Sequence, residues 1–320
     1  MALRHATFRQ LRTFEAVARH LSFSRAAEEL HLTQPAASMQ VKQLEAQAGL
    51  PLFEQVGKRI HLTEAGEELG RLARDMASRL KDCEDALAAM LGLSGGRLHL
   101  AVVSTAKYFA PRLLAEFSRR HPGVSVKLSI TNREQVIGEL QANRVDMAIM
   151  GQPPPGLDVE ATVFARHPQG IVAAPGHPLA RRRRLRLASL AGENFLVREP
   201  GSGTRSSMER LFAAEGVRAA SSMELASNET IKQAVMAGMG LSFLSLHTVG
   251  LELATGRLVR LDVRGTPVTR DWCAVHRKGK RLSPVAAGFR AFLVDEGAGL
   301  IEETTGVKAP AGPRASAVHP

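Results

Sequence analysis

In LTQPAASMQVKQLE, residues 32–45, small polar side chains are segregated from apolar ones. On a wheel of about 100° per residue, Ala37, Val41, Leu44 and Ala48 form one stripe, with Gln34, Pro35, Ser38, Met39, Lys42 and Gln43 opposite. A solvated helix face usually carries several charges; this one offers amides, a hydroxyl, a thioether and a single lysine. Such a face suits close insertion into a major groove, where bulk clashes and amides or hydroxyls reach base edges. Lys42 and Arg59 would neutralise phosphates, and an arginine in the second place can also enter a minor groove. A helical hairpin with no nucleic-acid role is the bland alternative.

A second polar set falls just beyond predicted strands: Ser104-Thr105, Thr131-Asn132, Gln152, Ser202-Gly203-Thr204 and Asn228, with Lys107 and Arg205 close behind. In an open parallel sheet the strand C-termini share one crevice, and the following helices present free backbone donors and positive dipole ends there. A crevice so built receives anions. Taken singly, Ser202, Thr204 or Asn228 reads as a helix cap; their coincidence at one sheet edge favours a site. PGSGTR lets backbone amides approach a ligand but lacks the Gly-Lys-Ser/Thr of a phosphate loop.

The elements that position these groups follow from the spacing. Phe8, Leu11, Phe14 and Val17 mark a first helix, and Ser22 caps a second containing Ala26, Ala27 and Leu30. Thr33 caps the third, which tolerates Pro35 in its first turn and is expected to stop near Gly49. Residues 53–55 and 60–62 flank Val56-Gly57-Lys58-Arg59, a wing with a basic tip. Ala65, Leu69, Leu72, Met76, Leu80, Cys83, Leu87 and Met90 recur at three- and four-residue steps, predicting one helix of roughly 40 Å. Its seam finds no neighbour within its own segment and should pair with a second copy as a coiled coil; packing on the chain's own body is the alternative. Leu93-Ser94-Gly95-Gly96 reads as a hinge. Strands are expected at 98–103, 124–130, 145–150, 171–174, 195–197, 223–226, 241–244 and 272–275, most separated by helices, which gives two small α/β lobes. Residues 301–320, with little large apolar content, are expected to be disordered.

Bulk numbers bound these readings. A chain of 320 residues, 44% hydrophobic and 23% charged, suits two or three globular domains. The opening residues lack the apolar core of a signal peptide, and Cys83 and Cys273 lie far apart, so a reducing, cytoplasmic setting is expected. The uncharged stretch 233–251 contains several polar residues and three glycines, and reads as helix, turn and strand rather than a membrane span. The net charge is +11, of which residues 1–62 carry +3, residues 63–92 carry −3 and residues 93–300 carry +11. Charge alone therefore does not identify a DNA reader. Arg181-Arg182-Arg183-Arg184 with Arg186 reads as a solvated loop, contact with bent DNA being the sharper alternative. His121, His167 and His177 sit beside prolines at expected turns, without metal-ligand spacing, and neither Ser104 nor Ser202 has an identifiable base. No catalytic or metal-ligating residue is assigned.

SFSRAAEELHLTQPAASMQVKQLEAQAGLPLFEQVGKRIHLTEAG resembles the winged helix-turn-helix of LysR-type transcriptional regulators, with a likeness running over about residues 5–297. STAKYFAPRLL, RVDMAIMGQPP, REPGSGTR and SNETIKQAVMAGMG draw it toward the regulators of Calvin-cycle (RuBisCO) carbon-fixation operons. The resemblance implies an α+β multidomain chain. Residues 1–62 would be a winged helix-turn-helix DNA-binding domain, 63–92 a linker and dimerisation helix, and 93–300 a two-lobed α/β effector domain similar to a periplasmic binding protein. Lobe I would comprise about 97–165 and 268–297, and lobe II about 166–267.

The DNA-facing residues are then expected to be Ser24, Thr33, Gln34, Pro35, Ser38, Met39, Lys42, Lys58 and Arg59. Many members of the family carry Arg where this chain has Met39, which removes a bidentate guanine contact and offers apolar contact with a thymine methyl. The expected effector-binding set is Ser104, Thr105, Lys107, Thr131, Asn132, Gln152, Ser202, Thr204, Arg205 and Asn228. The effector would be a small anionic metabolite such as a sugar phosphate, phosphoenolpyruvate or NADPH, with no resident cofactor. Expected partners are double-stranded promoter DNA, a second copy through the linker helix, a homotetramer beyond that, and RNA polymerase; no membrane is expected. The implied function is effector-dependent regulation, by activation, of a carbon-fixation operon. The rival reading is a cytosolic small-molecule-binding protein whose N-terminal helices mediate assembly only.

Overall fold

Three hydroxyl residues start the first three helices of the computed structural model, which describes residues 3–57, 59–90, 95–217 and 220–308. The chain divides into two compact units, residues 1–87 with 142–144, and residues 88–141 with 145–320. In the first unit, Thr7 and Gln10 form a reciprocal capping box at the start of α1 (Phe8–His20). Ser22 caps α2 (Phe23–Glu29), and Thr33 caps α3 (Gln34–Ala48) with Pro35 in its first turn. Gly49 ends α3 at φ 72°, a left-handed position that favours glycine. Phe14, Val17, Ala26, Val41 and Leu44 fill the core between these helices. The wing is β1 (Phe53–Val56) paired antiparallel with β2 (Arg59–Leu62).

α4 (Glu64–Met90) is a single helix, as its spacing requires. Its seam nevertheless has two destinations. Leu69, with Ala73 beside it, is buried in the N-terminal core, so this end of the seam follows the alternative of packing on the chain's own body. Leu72, Met76, Leu80 and Leu87 remain exposed. Close approach explains the difference: a Cβ on Gly66 would lie 2.1 Å from the Leu52 carbonyl oxygen and 2.9 Å from Leu62 Cδ2.

The second unit begins with β3 (Gly96–Val103), α5 (Ala110–Arg120), β4 (Val124–Thr131), α6 (Arg133–Gln141), β5 (Met147–Gly151) and β6 (Val159–Ala173). It continues through β7 (Asn194–Arg198), α7 (Gly203–Ala214), β8 (Ala220–Leu225), α8 (Asn228–Met236), β9 (Ser242–Ser245) and α9 (Gly250–Ala254), then β10 (Val259–Arg260), β11 (Val268–Arg277) and α10 (Pro284–Thr305). The main sheet has the order β10-β6-β11-β5-β3-β4, with β9 also on β6, and β7 pairs with β8 separately. β6 and β11 run antiparallel through both lobes. β5 pairs with residues 272–275 of β11, whereas β9 and β10 pair with residues 169–173 of β6. Along β6, Ile171 and Ala173 face one lobe II core and Val172 the other, the period-2 alternation of a strand covered on both sides.

Among the boundaries that differ from expectation, β11 beginning at Val268 included, two have a clear physical reason. A strand is expected only at 171–174, but β6 spans 15 residues from Val159. Pro168 conceals it: proline cannot donate to a ladder, and β9 joins β6 only from Gln169 onward, so Pro168 occupies an edge. His167, expected at a turn, is consequently a strand residue. α10 reaches Thr305, five residues into the expected tail, because Ile301 and Thr305 are buried; residues 309–320 lie outside the described residues. Of the expected hinge at residues 93–96, residues 93 and 94 lie outside them as well, and Gly96 already belongs to β3. Residues 233–251 fold as the end of α8, then β9 and the start of α9, and no helix among the described residues is long and apolar enough to cross a membrane.

Because Gly66 has no room for a side chain, Gly66→Ala should destabilise the first unit by about 1–3 kcal/mol, the usual cost of overpacking. Calorimetry of the variant should show a lower melting transition; an unchanged transition would mean that α4 and the wing are not held in register there.

Candidate functional site

On α3 the side chains opposite the buried stripe are presented outward. Gln34, Pro35 and Lys42 are exposed, Ser38 is half-buried, and Met39 is 58% exposed, unusual for so apolar a side chain. Thr33 Oγ1 accepts from the Ala36 amide at 3.3 Å and is committed to capping. Ser24 on α2 and Arg59 at the start of β2 are exposed; Lys58 lies outside the described residues. Gln43 is engaged rather than free, because its Oε1 accepts from Gln10 Nε2 at 3.1 Å, while Gln40 Oε1 accepts from Thr13 Oγ1 at 2.7 Å. These two bonds fix α3 against α1. Glu45, the one acid on α3, turns its Oε1 to the Leu52 and Phe53 amides at 2.8 and 3.3 Å. The outward face is thereby left without an anion.

The second unit holds a cleft of about 510 Å³. The β6–β11 ladder builds one wall. His167 pairs with Arg270, Gln169 with Val268, and Ala165 with Trp272, and paired residues share a face, as do alternate residues along each strand. His167, Gln169, Arg270 and Trp272 therefore all face the cleft. Arg166 and Asp271 fall on the opposite face, where they form an ion pair at 2.8 Å. The end of β3 contributes Ser104 and Thr105, the first residue of α6 contributes Arg133, and α7 brings Ser202, Thr204 and Arg210. The Ser202 cap accepts from the Arg205 amide, while the Thr105 and Thr204 hydroxyls have no hydrogen-bond partner among the described residues.

Five of the ten residues expected to bind an effector line this cleft: Ser104, Thr105, Gln152, Ser202 and Thr204. Asn228 lies behind it, fully buried, with Oδ1 accepting from Arg198 Nη1 at 2.6 Å and Nδ2 donating to the Ser104 carbonyl at 3.4 Å. It positions Arg198, which also donates to Ser104 Oγ at 2.9 Å and is neutralised by Glu199 at 2.7 Å. The other four are placed elsewhere. Lys107 sits over the Tyr108 ring at 5.2 Å, and Arg205 is held by Glu209 and Glu224 at 2.9 and 2.5 Å. Asn132 caps the Gln135 amide at 2.9 Å, and the Thr131 hydroxyl bonds to the Gln135 side chain. The helix-spaced pair Arg205–Glu209 is the commoner use of such an arginine.

Sequence reasoning missed the cations that define the cleft. Arg133, Arg210 and Arg270 all line it, and none has a carboxylate partner among the described residues. Burial lowers the affinity of Arg133 for its proton, and repulsion from Arg210 and Arg270 lowers it further; Arg210 is lowered by burial and then by Arg270. Guanidiniums nevertheless stay charged, so three like charges are held within range of one another. Arg133 did leave a signal, since a cation in the first turn of a helix opposes the dipole and requires another reason to be there.

Residues 8–67 match the family model for the bacterial regulatory helix-turn-helix protein of the lysR family, and residues 92–298 match the LysR substrate binding domain. The chain belongs to the LysR family of transcriptional regulators. It is 52% identical over 294 residues to the RuBisCO operon transcriptional regulator of Allochromatium vinosum, covering 92% of this chain and 97% of that one. It is 53% identical over 293 residues to the HTH-type transcriptional regulator CbbR of Rhodospirillum rubrum, covering 91% and 97% respectively. The CcmR regulatory domain of Synechocystis PCC6803, solved in complex with 2-PG, is 42% identical with a TM-score of 0.60, covering 62% of this chain and 96% of that one. A full-length OxyR variant of Pseudomonas aeruginosa, 21% identical, matches with a TM-score of 0.73 over 97% of this chain and 99% of its own, and shares the fold.

Within this LysR-family chain, the cleft wall also carries buried imidazoles. His167 stacks on Trp272 with ring centroids 3.9 Å apart, and Trp272 Nε1 donates to His247 Nδ1 at 3.1 Å. Burial, reinforced by His247 and Arg270, holds His167 well below the ordinary imidazole value, and burial pushes His247 down to about 4. Both are neutral at pH 7. Among the described residues no group of three or more His, Cys, Asp or Glu is placed to hold a metal ion.

The unfolded chain would protonate these imidazoles near pH 6.5. Their contribution is therefore fully present above about pH 6.5 and is lost as pH falls toward 4, where the unfolded state binds the extra protons. Each should steepen the acid loss of stability by about 1.4 kcal/mol per pH unit in that window. Urea unfolding of His247→Asn between pH 7 and 5 should show a slope shallower by about one proton; a slope equal to wild type would place the acid sensitivity elsewhere.

Proposed function

We propose that this regulator reads promoter DNA with the outward face of α3 and the wing, and couples that reading to a small anionic metabolite held in the cleft. Convergence of Arg133, Arg210 and Arg270, unpaired, beside the Ser202–Thr204 turn at the start of α7 carries the second half of this reading. An anion relieves their mutual repulsion and meets free backbone donors and a positive helix end. The CcmR domain with 2-PG supports a phosphorylated or carboxylated compound, of the class that includes 2-phosphoglycolate, sugar phosphates, phosphoenolpyruvate and NADPH. The relatives named for RuBisCO operons support a carbon-fixation operon as the target, activated in the presence of effector.

Exposed Leu72, Met76, Leu80 and Leu87 give α4 an apolar seam suited to a second copy, and higher assembly to a tetramer would set the spacing of DNA half-sites. Binding of the anion favours the closed arrangement of the two lobes, and the output at the promoter, with RNA polymerase as the next partner, follows that shift. Such work is cytoplasmic. The rival, a binding protein whose N-terminal helices only mediate assembly, leaves the exposed, anion-free α3 face without a role.

Gel retardation with the promoter region of the carbon-fixation operon from the same genome tests the DNA half. Retardation is expected at moderate salt, and its absence defeats this half. Lys42→Ala should weaken binding and reduce the slope of log affinity against log salt by about 1. Arg133→Ser and Arg270→Ser should leave basal retardation intact and raise the 2-phosphoglycolate concentration needed for any change in footprint by about tenfold or more. An unaltered response in both would remove the anion site from the cleft.

A further inference from the structure

Beside the guanidiniums, the cleft has polar atoms that nothing among the described residues satisfies. His167 and Gln169 are alternate residues of β6 and so face the same way, with Pro168 turned from them. Their side chains line the cleft while being only 4% and 3% exposed. His167 Nε2 and Gln169 Oε1 are buried with no hydrogen-bond partner, as is Ser245 Oγ, whose residue is directly across the ladder from Gln169. An unpaired buried polar atom forfeits its hydration with nothing in return, so neighbouring ones on one cleft wall mark a place built for something else to occupy.

We propose that His167 Nε2 and Gln169 Oε1, against the Trp272 ring, form an uncharged subsite that takes a hydroxyl group of the effector. This rests on the reading of the cleft as an anion site and, within that class, ranks hydroxylated anions above 2-phosphoglycolate and phosphoenolpyruvate, which reach the cations but carry no free hydroxyl. The chemistry follows from what a neutral imidazole and an amide can offer. Trp272 spends its N–H on His247, so His167 receives none from it. A hydroxyl both donates and accepts, so it can accept from a protonated His167 Nε2 while donating to the Gln169 carbonyl oxygen, or donate to a bare Nε2 while accepting from the turned amide. A carboxylate only accepts, and would place an anion against the Gln169 carbonyl oxygen. Because His167 is paired with Arg270 across the ladder, the subsite adjoins the cationic one and a single small ligand spans both. A bridging water is the competing occupant.

The test uses the full-length protein, with Trp272 emission as the readout, since it is the one tryptophan in the chain. Ribitol 5-phosphate and n-pentyl phosphate share length and anion and differ in hydroxyls on all the carbons that do not bear the phosphate, so reach is not limiting. Wild type should bind the polyol phosphate at least about tenfold more tightly. Gln169→Leu, and separately His167→Phe with its ring still stacked on Trp272, should each shrink that preference severalfold and leave the affinity for inorganic phosphate unchanged. Ligand-free Gln169→Leu should melt no lower than wild type, since an unpaired polar atom is replaced by an apolar one; a clear fall would show that the amide is already satisfied. Equal binding of both phosphates by wild type, the outcome for a subsite that holds water only, overturns the proposal, as does a preference unchanged in both variants. If no phosphate, inorganic phosphate included, perturbs Trp272, the anionic reading of the cleft falls with it.

Discussion

The antiparallel ladder between β6 and β11 is the constraint on which the effector unit depends. It joins both lobes in one sheet, and its pairing decides which side chains meet. His167 opposite Arg270, and Ala165 opposite Trp272, put the cation, the imidazole and the indole on the cleft face; Arg166 opposite Asp271 puts an ion pair on the other. A slip of one residue would exchange these sets completely. The register with β6 does break once, between Trp272 and Cys273, where β11 also takes up β5 on its other side. Any closure of the lobes has to be absorbed in these two strands, beside that irregularity and beside Pro168. Asn228, which links Arg198 of lobe II to the Ser104 carbonyl of lobe I, is the contact such a movement would strain first.

Two charges that oppose their helix dipoles show how misplacement reports a partner. Glu45 is an acid in the last turns of α3, where a cation would be favoured. Its carboxylate is bound to two amides at the base of the wing, so the unfavourable position is offset by satisfying backbone donors. Arg133 is a cation in the first turn of α6 and has no such compensation among the described residues; it donates a hydrogen bond to the Gln152 carbonyl at 3.3 Å. One mismatch is resolved internally and is structural, while the other stays open toward the cleft.

Much of this was legible from residue types alone. The caps Ser22 and Thr33, Pro35 in a first turn, the α3 stripe and the stop at Gly49 are local effects, and local effects survive into the fold. The polar clusters after strands were readable because helix starts share an edge of a parallel sheet. What resisted reading was non-local. Pro168 disguised a strand of 15 residues, because an edge position is not visible without knowing the neighbours. Arg270 and His167, more than a hundred positions apart, acquire a shared face only through the ladder. Lys107 and Arg205 looked like cleft cations by adjacency, yet their charges found a ring and two carboxylates first.

The reading face and the cleft divide their electrostatics unevenly, and this bears on control. The chain's excess positive charge is concentrated in residues 93–300, while the described α3–wing face offers Lys42 and Arg59 around a neutral centre. Each phosphate contact contributes a salt-dependent increment through counterion release, so a face with few cations binds a half-site weakly by itself. On the proposed assembly through α4, affinity comes from engaging several copies at once, where effective concentration, and hence the geometry between copies, multiplies modest contacts. The exposed seam of α4 is the part of the first unit suited to joining copies. A regulator whose affinity depends on geometry can be controlled by a ligand that never touches DNA. On the proposed reading, the small neutral face centred on Met39 leaves control with that geometry, where strong phosphate binding at α3 would override it.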